Sequence, residues 1–170
     1  AEGWDTGPVF RQRSLPIEPE DDAGTLTGKL AQLGAELLVE VVNLRARGMI
    51  TPRRQDESQA SYAPRLTRED GRIDWSKPAA RLAREVRAYS PWPGSFTHWN
   101  GKVLKVLRSG SRESGVGSRE PAGTVLSDLA TVTGDGLLAL ERLQIEGRKA
   151  MDAQEFLRGQ PSLVGAILPS

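Results

Sequence analysis

The sequence has 170 residues, 38% hydrophobic and 26% charged, which suits a folded chain with one sizeable core and excludes a disordered one. It has no Cys and a single His, His98, so disulfides, thiolate metal sites and His-based metal clusters are excluded. The net charge of +1 conceals a segregation: residues 1–44 hold 3 basic and 8 acidic side chains, residues 45–119 hold 16 and 7, and residues 120–170 hold 4 and 7. A basic middle between acidic ends fits a segment that faces a polyanion, and equally a solvated Arg/Lys face.

The chain opens AEGWDTGPVF, without a Met, on a turn in which Gly3 and Gly7 bracket Asp5. Such a turn can fix a carboxylate between strands, or Asp5 is an ordinary turn former. The expectation is that the stretch is one part of an active site whose other parts lie elsewhere. Residues 7–17 read as a short strand with a Pro-rich exit. Leu26, Leu30, Leu33, Leu37, Val41 and Leu44 then recur at steps of three and four, an amphipathic helix. Asp22 or Thr25 can cap it, and Gly48 stands where a left-handed C-terminal cap belongs. Gly28 and Gly34 weaken its intrinsic helicity, so packing must hold it. It reads as the last helix of an α/β domain. Residues 48–64, aperiodic and holding Pro52 and Pro64, read as an exposed linker.

Beyond the linker, Ser76-Lys77-Pro78 predicts a helix start with Ser76 as cap, and Ala79, Leu82, Val86 and Tyr89 form its apolar stripe. Pro91 and Pro93 end it, with Trp92 between them as an anchor against the sheet. SFTHW and KVLKVLR flank Asn100-Gly101, a strong hairpin signal. Residues 110–120 read as a flexible Gly/Ser loop. GTVLSDL, ATVTG and LLALERLQI read as further strands, and MDAQEFLRG as a short helix with Asp152 as cap and Glu155 completing a capping box. Five short antiparallel strands suggest a small barrel of the OB type. The fold class is therefore α+β. Residues 1–47 read as the end of an α/β domain, 48–64 as a linker, and 65–170 as an OB-like five-stranded barrel with flanking helices. No apolar run approaches the ~20 residues of a membrane span, so no membrane partner is expected.

Chemistry has few carriers. Asp5 fits a general base or a water-positioning group. His98 lies alone on a strand, with no triad to argue from. Arg53, Arg54, Arg65, Arg68, Arg72 and Lys77 lie in or just after the linker. Arg81, Arg84 and Arg87, spaced by three on the next helix, fit a row that follows a phosphate backbone. Lys102, Lys105 and Arg108 extend the set onto the hairpin. Basic and aromatic residues on an OB-type barrel make a nucleic-acid surface; the alternative is that they keep a small domain soluble. Trp75, Trp92, Phe96 and Trp99 read mainly as packing residues.

Four blocks carry a resemblance: GWDTGP, GTLTGKLAQLGAELLVEVV, YAPRLTREDGRIDWSKPAARLAREVRAYSPWPGSFT and TGDGLLALERLQIEGRKAMDAQEFLRG. Their order resembles the C-terminal half of the bacterial methionyl-tRNA formyltransferases, over almost the whole chain and most weakly at 109–120. The turn alone is shared with other folate-dependent formyltransferases. The resemblance implies formyl transfer from 10-formyltetrahydrofolate to the Met amino group of initiator tRNA, and it makes residues 1–47 the remnant of a Rossmann-like domain; the absence of Cys fits a cytoplasmic protein, and a monomer is expected. It implies that Asp5 matches the catalytic Asp, and that Arg65 and Arg68 match basic linker positions associated with tRNA. The family's Asp works with an Asn and a His from an Asn-x-His motif. Neither Asn43 nor Asn100 stands two residues before His98, and the Ser-Leu-Leu-Pro folate-loop motif is missing too. An amine attacking a formyl carbon needs its proton removed and an oxyanion stabilised, and one carboxylate supplies at most one of these roles. The chain alone is therefore expected to be inactive and to bind the folate donor weakly at best.

Two other readings stand beside this one. A stand-alone OB-type RNA-binding module would have no use for Asp5 and the first helix. A sugar-nucleotide formyltransferase would share the turn but would not need the basic middle.

Overall fold

The computed structural model describes residues 5–112 and 120–170. The chain forms two compact units, Ala1–Arg65 and Leu66–Ser170.

The first unit is built on helix α1, Ala23–Ala46. Asp22 caps it: its carboxylate accepts from the Thr25 N–H at 2.8 Å, and the Thr25 hydroxyl accepts from the Asp22 N–H at 3.0 Å. Both candidate caps thus act together, as the two halves of one capping box. At the other end Gly48 has φ 70°, its N–H donates to the Arg45 carbonyl, and the Met49 N–H donates to the Leu44 carbonyl. That pair of bonds is a Schellman closure, which needs a left-handed residue at Gly48. None of the helix residues is buried. Leu26, Leu33, Leu37, Val41 and Leu44 are half-buried, whereas Leu30, Leu38, Val39 and Val42 lie exposed. The predicted strand in 7–17 is absent. Only Val9 pairs, antiparallel with Arg53, because the described residues offer no neighbouring strand and Pro8 and Pro16 remove two donors. Residues 51–65 are exposed and hold one 3₁₀ turn, Glu57–Gln59.

The second unit holds a mixed helix and sheet core. Helix α2 is Ala79–Ala88, and the strands are β1 Ser95–Trp99, β2 Lys102–Arg112, β3 Ala130–Val132, β4 Leu137–Ile145 and β5 Met151–Asp152, followed by α3 Ala153–Gly159. All strand pairs are antiparallel, in the order β1-β2-β4-β3, with β5 on β4. The β1–β2 hairpin turns at Asn100 (φ 49°) and Gly101 (φ 72°), as the Asn-Gly pair requires. The strand β2 runs past Arg108 through a bulge and absorbs residues 110–112 of the expected loop; residues 113–119 of that loop lie outside the described residues.

The sheet is not a closed barrel. Among the described residues β1 and β3 do not pair with each other. The expected strand GTVLSDL reduces to two single bridges, Thr124 to Ile167 and Val125 to Thr131, and then turns at Leu129 (φ 61°). The C-terminal tail occupies the gap: Val125 donates to the Ala166 carbonyl, Leu168 to that of Gly123, and the Thr97 hydroxyl to that of Pro169.

The core gathers Trp75, Leu82, Val86, Leu104, Val106, Leu138, Leu143, Phe156, Leu163 and Leu168, each nearly inaccessible. Three local expectations change. Ser76 does not cap α2, because its hydroxyl and N–H are both turned to Asp74; the Ala79 N–H is met instead by the Asp135 carbonyl. Asp152 precedes α3 without a side-chain cap, since it is engaged in β5 opposite Arg142. Trp92 is 58% exposed rather than an anchor. The anchoring in that region is by glycine: Gly71 packs so closely on the Gly94 carbonyl that a Cβ there would overlap it.

Candidate active-site turn and nucleic-acid interface

In the first unit the turn expected from Gly-Trp-Asp-Thr-Gly carries an exposed Asp5 with φ 58°. A left-handed backbone is unusual for a residue with a Cβ, and Asp is among the few that tolerate it. The turn is held from the far end of the unit. Gln55 Nε2 donates to the Asp5 carbonyl and to the Gly7 carbonyl, each at 2.7 Å. Just beside it, Val9 and Arg53 exchange two backbone hydrogen bonds of 2.9 Å. Asp5, Val9, Gln12, Arg53, Arg54 and Gln55 line one open groove of about 1180 Å³. Gln55 escaped the sequence reading. It sits in an aperiodic stretch, and nothing local signals a side-chain bond to backbone 50 residues away.

In the second unit the basic candidates divide. Lys77 and Arg81 both reach the half-buried Glu85, at 3.0 Å each, so the charge of these two is largely answered within the fold. Arg108 pairs with Glu141 at 2.7 Å. Among the described residues, no carboxylate pairs with Arg53, Arg54, Arg65, Arg68, Arg72, Arg84, Arg87, Lys102 or Lys105. Arg87 is half-buried and donates to the Ala83 carbonyl at 3.3 Å. Arg84 stays exposed, so the expected row of three helix arginines presents one unengaged guanidinium.

Strand alternation sorts the hairpin lysines. Lys105 stands opposite Phe96 and Gln144, on one face of the sheet. Lys102 stands opposite Trp99, on the other face, at the strand's end. Arg68 joins the Lys105 side: its guanidinium lies 6.0 Å from the Phe96 ring centroid, within cation–π range. Arg68, Lys105 and Gln144 line a hollow of about 240 Å³ with Val103, Glu146 and Gly147. The loop that carries Arg68 is fixed by Asp70, whose carboxylate takes both the N–H and the hydroxyl of Thr67 and is held below the usual range by those two bonds. His98 shares this face and packs edge-on against Phe96 at 5.8 Å, a structural contact.

Among the described residues no group of three or more His, Asp or Glu could hold a metal ion, and no helix is long and apolar enough to cross a membrane.

Residues 65–161 match the family described as "Formyl transferase, C-terminal domain", and the chain belongs to that family. Curated relatives that it resembles are named methionyl-tRNA formyltransferases. The methionyl-tRNA formyltransferase of Roseiflexus castenholzii is 44% identical over 158 residues, covering 91% of this chain and 50% of that protein. That of Trichlorobacter lovleyi is 41% identical over 170 residues, covering 98% of this chain and 52% of that protein. The chain thus spans about half the length of the curated relatives it matches. Among solved structures, HypX from Aquifex aeolicus in complex with tetrahydrofolic acid aligns with a TM-score of 0.63 at 20% identity, over 92% of this chain and 28% of that one. At that identity the likeness concerns the fold.

Proposed function

We propose that the chain is the C-terminal part of a methionyl-tRNA formyltransferase, which moves the formyl group of 10-formyltetrahydrofolate to the Met amino group of initiator tRNA. The observation that carries the reading is the exposed Asp5 on a held turn, in a chain whose relatives at 40–44% identity are methionyl-tRNA formyltransferases. Asp5 acts in proton removal from the attacking amine. The oxyanion that forms on the formyl oxygen as the amine adds to the carbon is met by partners that this chain does not carry, so the isolated chain is inactive.

The second unit contributes RNA binding, through the cations left without carboxylate partners. Arg68 and Lys105 are its centre; Arg72, Arg84, Arg87 and Lys102 belong to the same unit, and Arg53, Arg54 and Arg65 to the first. Lys77 and Arg81 contribute less, since Glu85 already answers them. A small OB-like barrel, with the C-terminal tail taking the place of an edge pairing, is our reading of this unit. The exposed Leu38, Val39 and Val42 support the reading of residues 1–47 as the edge of a Rossmann-like domain, because such a helix gains stability only when that face is covered. A monomeric cytoplasmic enzyme fits this assignment.

The test uses two proteins, the isolated chain and the full-length formyltransferase containing it. The full-length protein is expected to formylate Met-tRNA with 10-formyltetrahydrofolate, and its Asp5→Asn variant to lose at least ~100-fold in kcat. The isolated chain is expected to bind tRNA without formylating it. Formyl transfer by the isolated chain, or full activity of Asp5→Asn, would refute the proposal.

A further inference from the structure

The Asp5 turn has a holder that neither the motif nor the resemblance identifies. We infer that Gln55 is a positioning residue for Asp5: it fixes the turn through the carbonyls on either side of Thr6 and so sets where the Asp5 carboxylate stands. The inference rests on the reading of Asp5 as the reacting carboxylate.

The chemistry of the contact is specific. A Gln amide carries two N–H donors in a fixed planar fork. Both meet carbonyl oxygens at 2.7 Å, one on Asp5 itself and one on Gly7. The backbone is left-handed at Asp5, and two residues on stands Gly7, which by itself would sample many conformations. The Val9–Arg53 bonds fix the chain just beyond the turn but do not reach Asp5. Gln55 thus ties the turn to the strand-like pair beside it. Its own place is fixed two residues away, by the same Arg53 pairing.

Placement matters to rate because a displacement of about 1 Å in a reacting group can cost on the order of 100-fold. Loss of the fork releases the turn without removing the carboxylate, so the expected effect lies on kcat. Binding of RNA to the cations of the second unit should not change.

The experiment measures kcat, the KM for Met-tRNA, tRNA affinity and melting temperature in the full-length formyltransferase containing this chain. The variants are Gln55→Met, which keeps roughly the size but has no donors and adds no charge, Gln55→Ala, and Asp5→Asn. The expected result is a fall in kcat of roughly 10- to 100-fold in both Gln55 variants. KM, tRNA affinity and melting temperature should stay at wild-type values. Unchanged kcat in Gln55→Met, with Asp5→Asn inactive, would overturn the positioning role and leave the catalytic reading standing. Wild-type activity of Asp5→Asn would remove the catalytic reading itself. A kcat loss that comes with weaker tRNA binding or a lower melting temperature would also overturn the inference, since it would make Gln55 an ordinary fold residue.

Discussion

Replacing Arg68 and Lys105 together by Gln should flatten the salt dependence of tRNA binding. Both cations stand on the same side of the sheet, next to one hollow, and no described carboxylate pairs with either. Each phosphate contact that a cation makes releases condensed counterions and adds ~0.7 to ~0.9 to the slope of log affinity against log salt. Two lost contacts therefore lower the slope by about 1.4 to 1.8. Between about 50 and 200 mM salt that difference amounts to roughly a tenfold change in how much affinity is lost. Gln keeps part of each stem, so the packing of Arg68 on Phe96 is only partly given up, at a cost of about 0.5–1 kcal/mol for an exposed cation–π contact. Arg81→Gln serves as the comparison, because Glu85 and Lys77 remain as a pair when Arg81 goes. Its slope should match the parent. The assay is a filter-binding or anisotropy titration of initiator tRNA at four or more salt concentrations. A double variant with the parent slope would refute the reasoning, and so would an Arg81→Gln slope that falls as far as that of the double variant.

Two further outcomes test the fold. Gly134→Ala should destabilise the second unit by ~1–3 kcal/mol, because a Cβ at Gly134 would overlap the Ser76 backbone carbonyl. A shift of at least ~4 °C in thermal unfolding is expected for a unit of this size, and an unshifted transition would sink the claim. The second concerns pH. Asp21 is nearly buried, and its carboxyl is held below the usual value of 3.8, first by Lys29 Nζ at 2.7 Å and then by the Glu18 N–H. A lowered folded-state pKa stabilises above the unfolded value, and that stabilisation is lost as pH falls through the folded one. The stability difference between the parent and Asp21→Asn should therefore shrink as pH drops below about 5. A difference that stays constant down to acid unfolding would refute the assignment.

Charge counting along the sequence found a basic middle but could not tell which of its cations face outward unpaired. The distinction depends on acidic neighbours at the right helical or cross-strand offset. Glu85 stands four residues after Arg81, which was visible in principle as a helix pair. That Lys77 would turn onto the same carboxylate was not visible, because Lys77 precedes the helix. Lys102 and Lys105 look alike in sequence, yet three residues along a strand put them on opposite faces. The α1 caps and the Asn100-Gly101 turn were legible because their chemistry is local. Each involves a side chain and backbone within a few residues.

What stayed hidden is what the chain does over long separations. The gap between β1 and β3 is filled by a tail whose residues, 165–169, have no strand period and no β-rich composition. They are held by backbone bonds to Gly123 and Val125 and by the Thr97 hydroxyl, and nothing local to those three residues signals it. The Asp5 turn follows the same rule. Motif and resemblance pointed to the carboxylate, but its geometry is set by Gln55, from an aperiodic segment. A site residue that reacts must carry a particular functional group, and so it leaves a mark in the sequence. A residue that only holds backbone carbonyls needs nothing but two donors at the right distance. Such residues are therefore found from coordinates, and they are where mutation of an apparently featureless linker should cost rate without costing affinity.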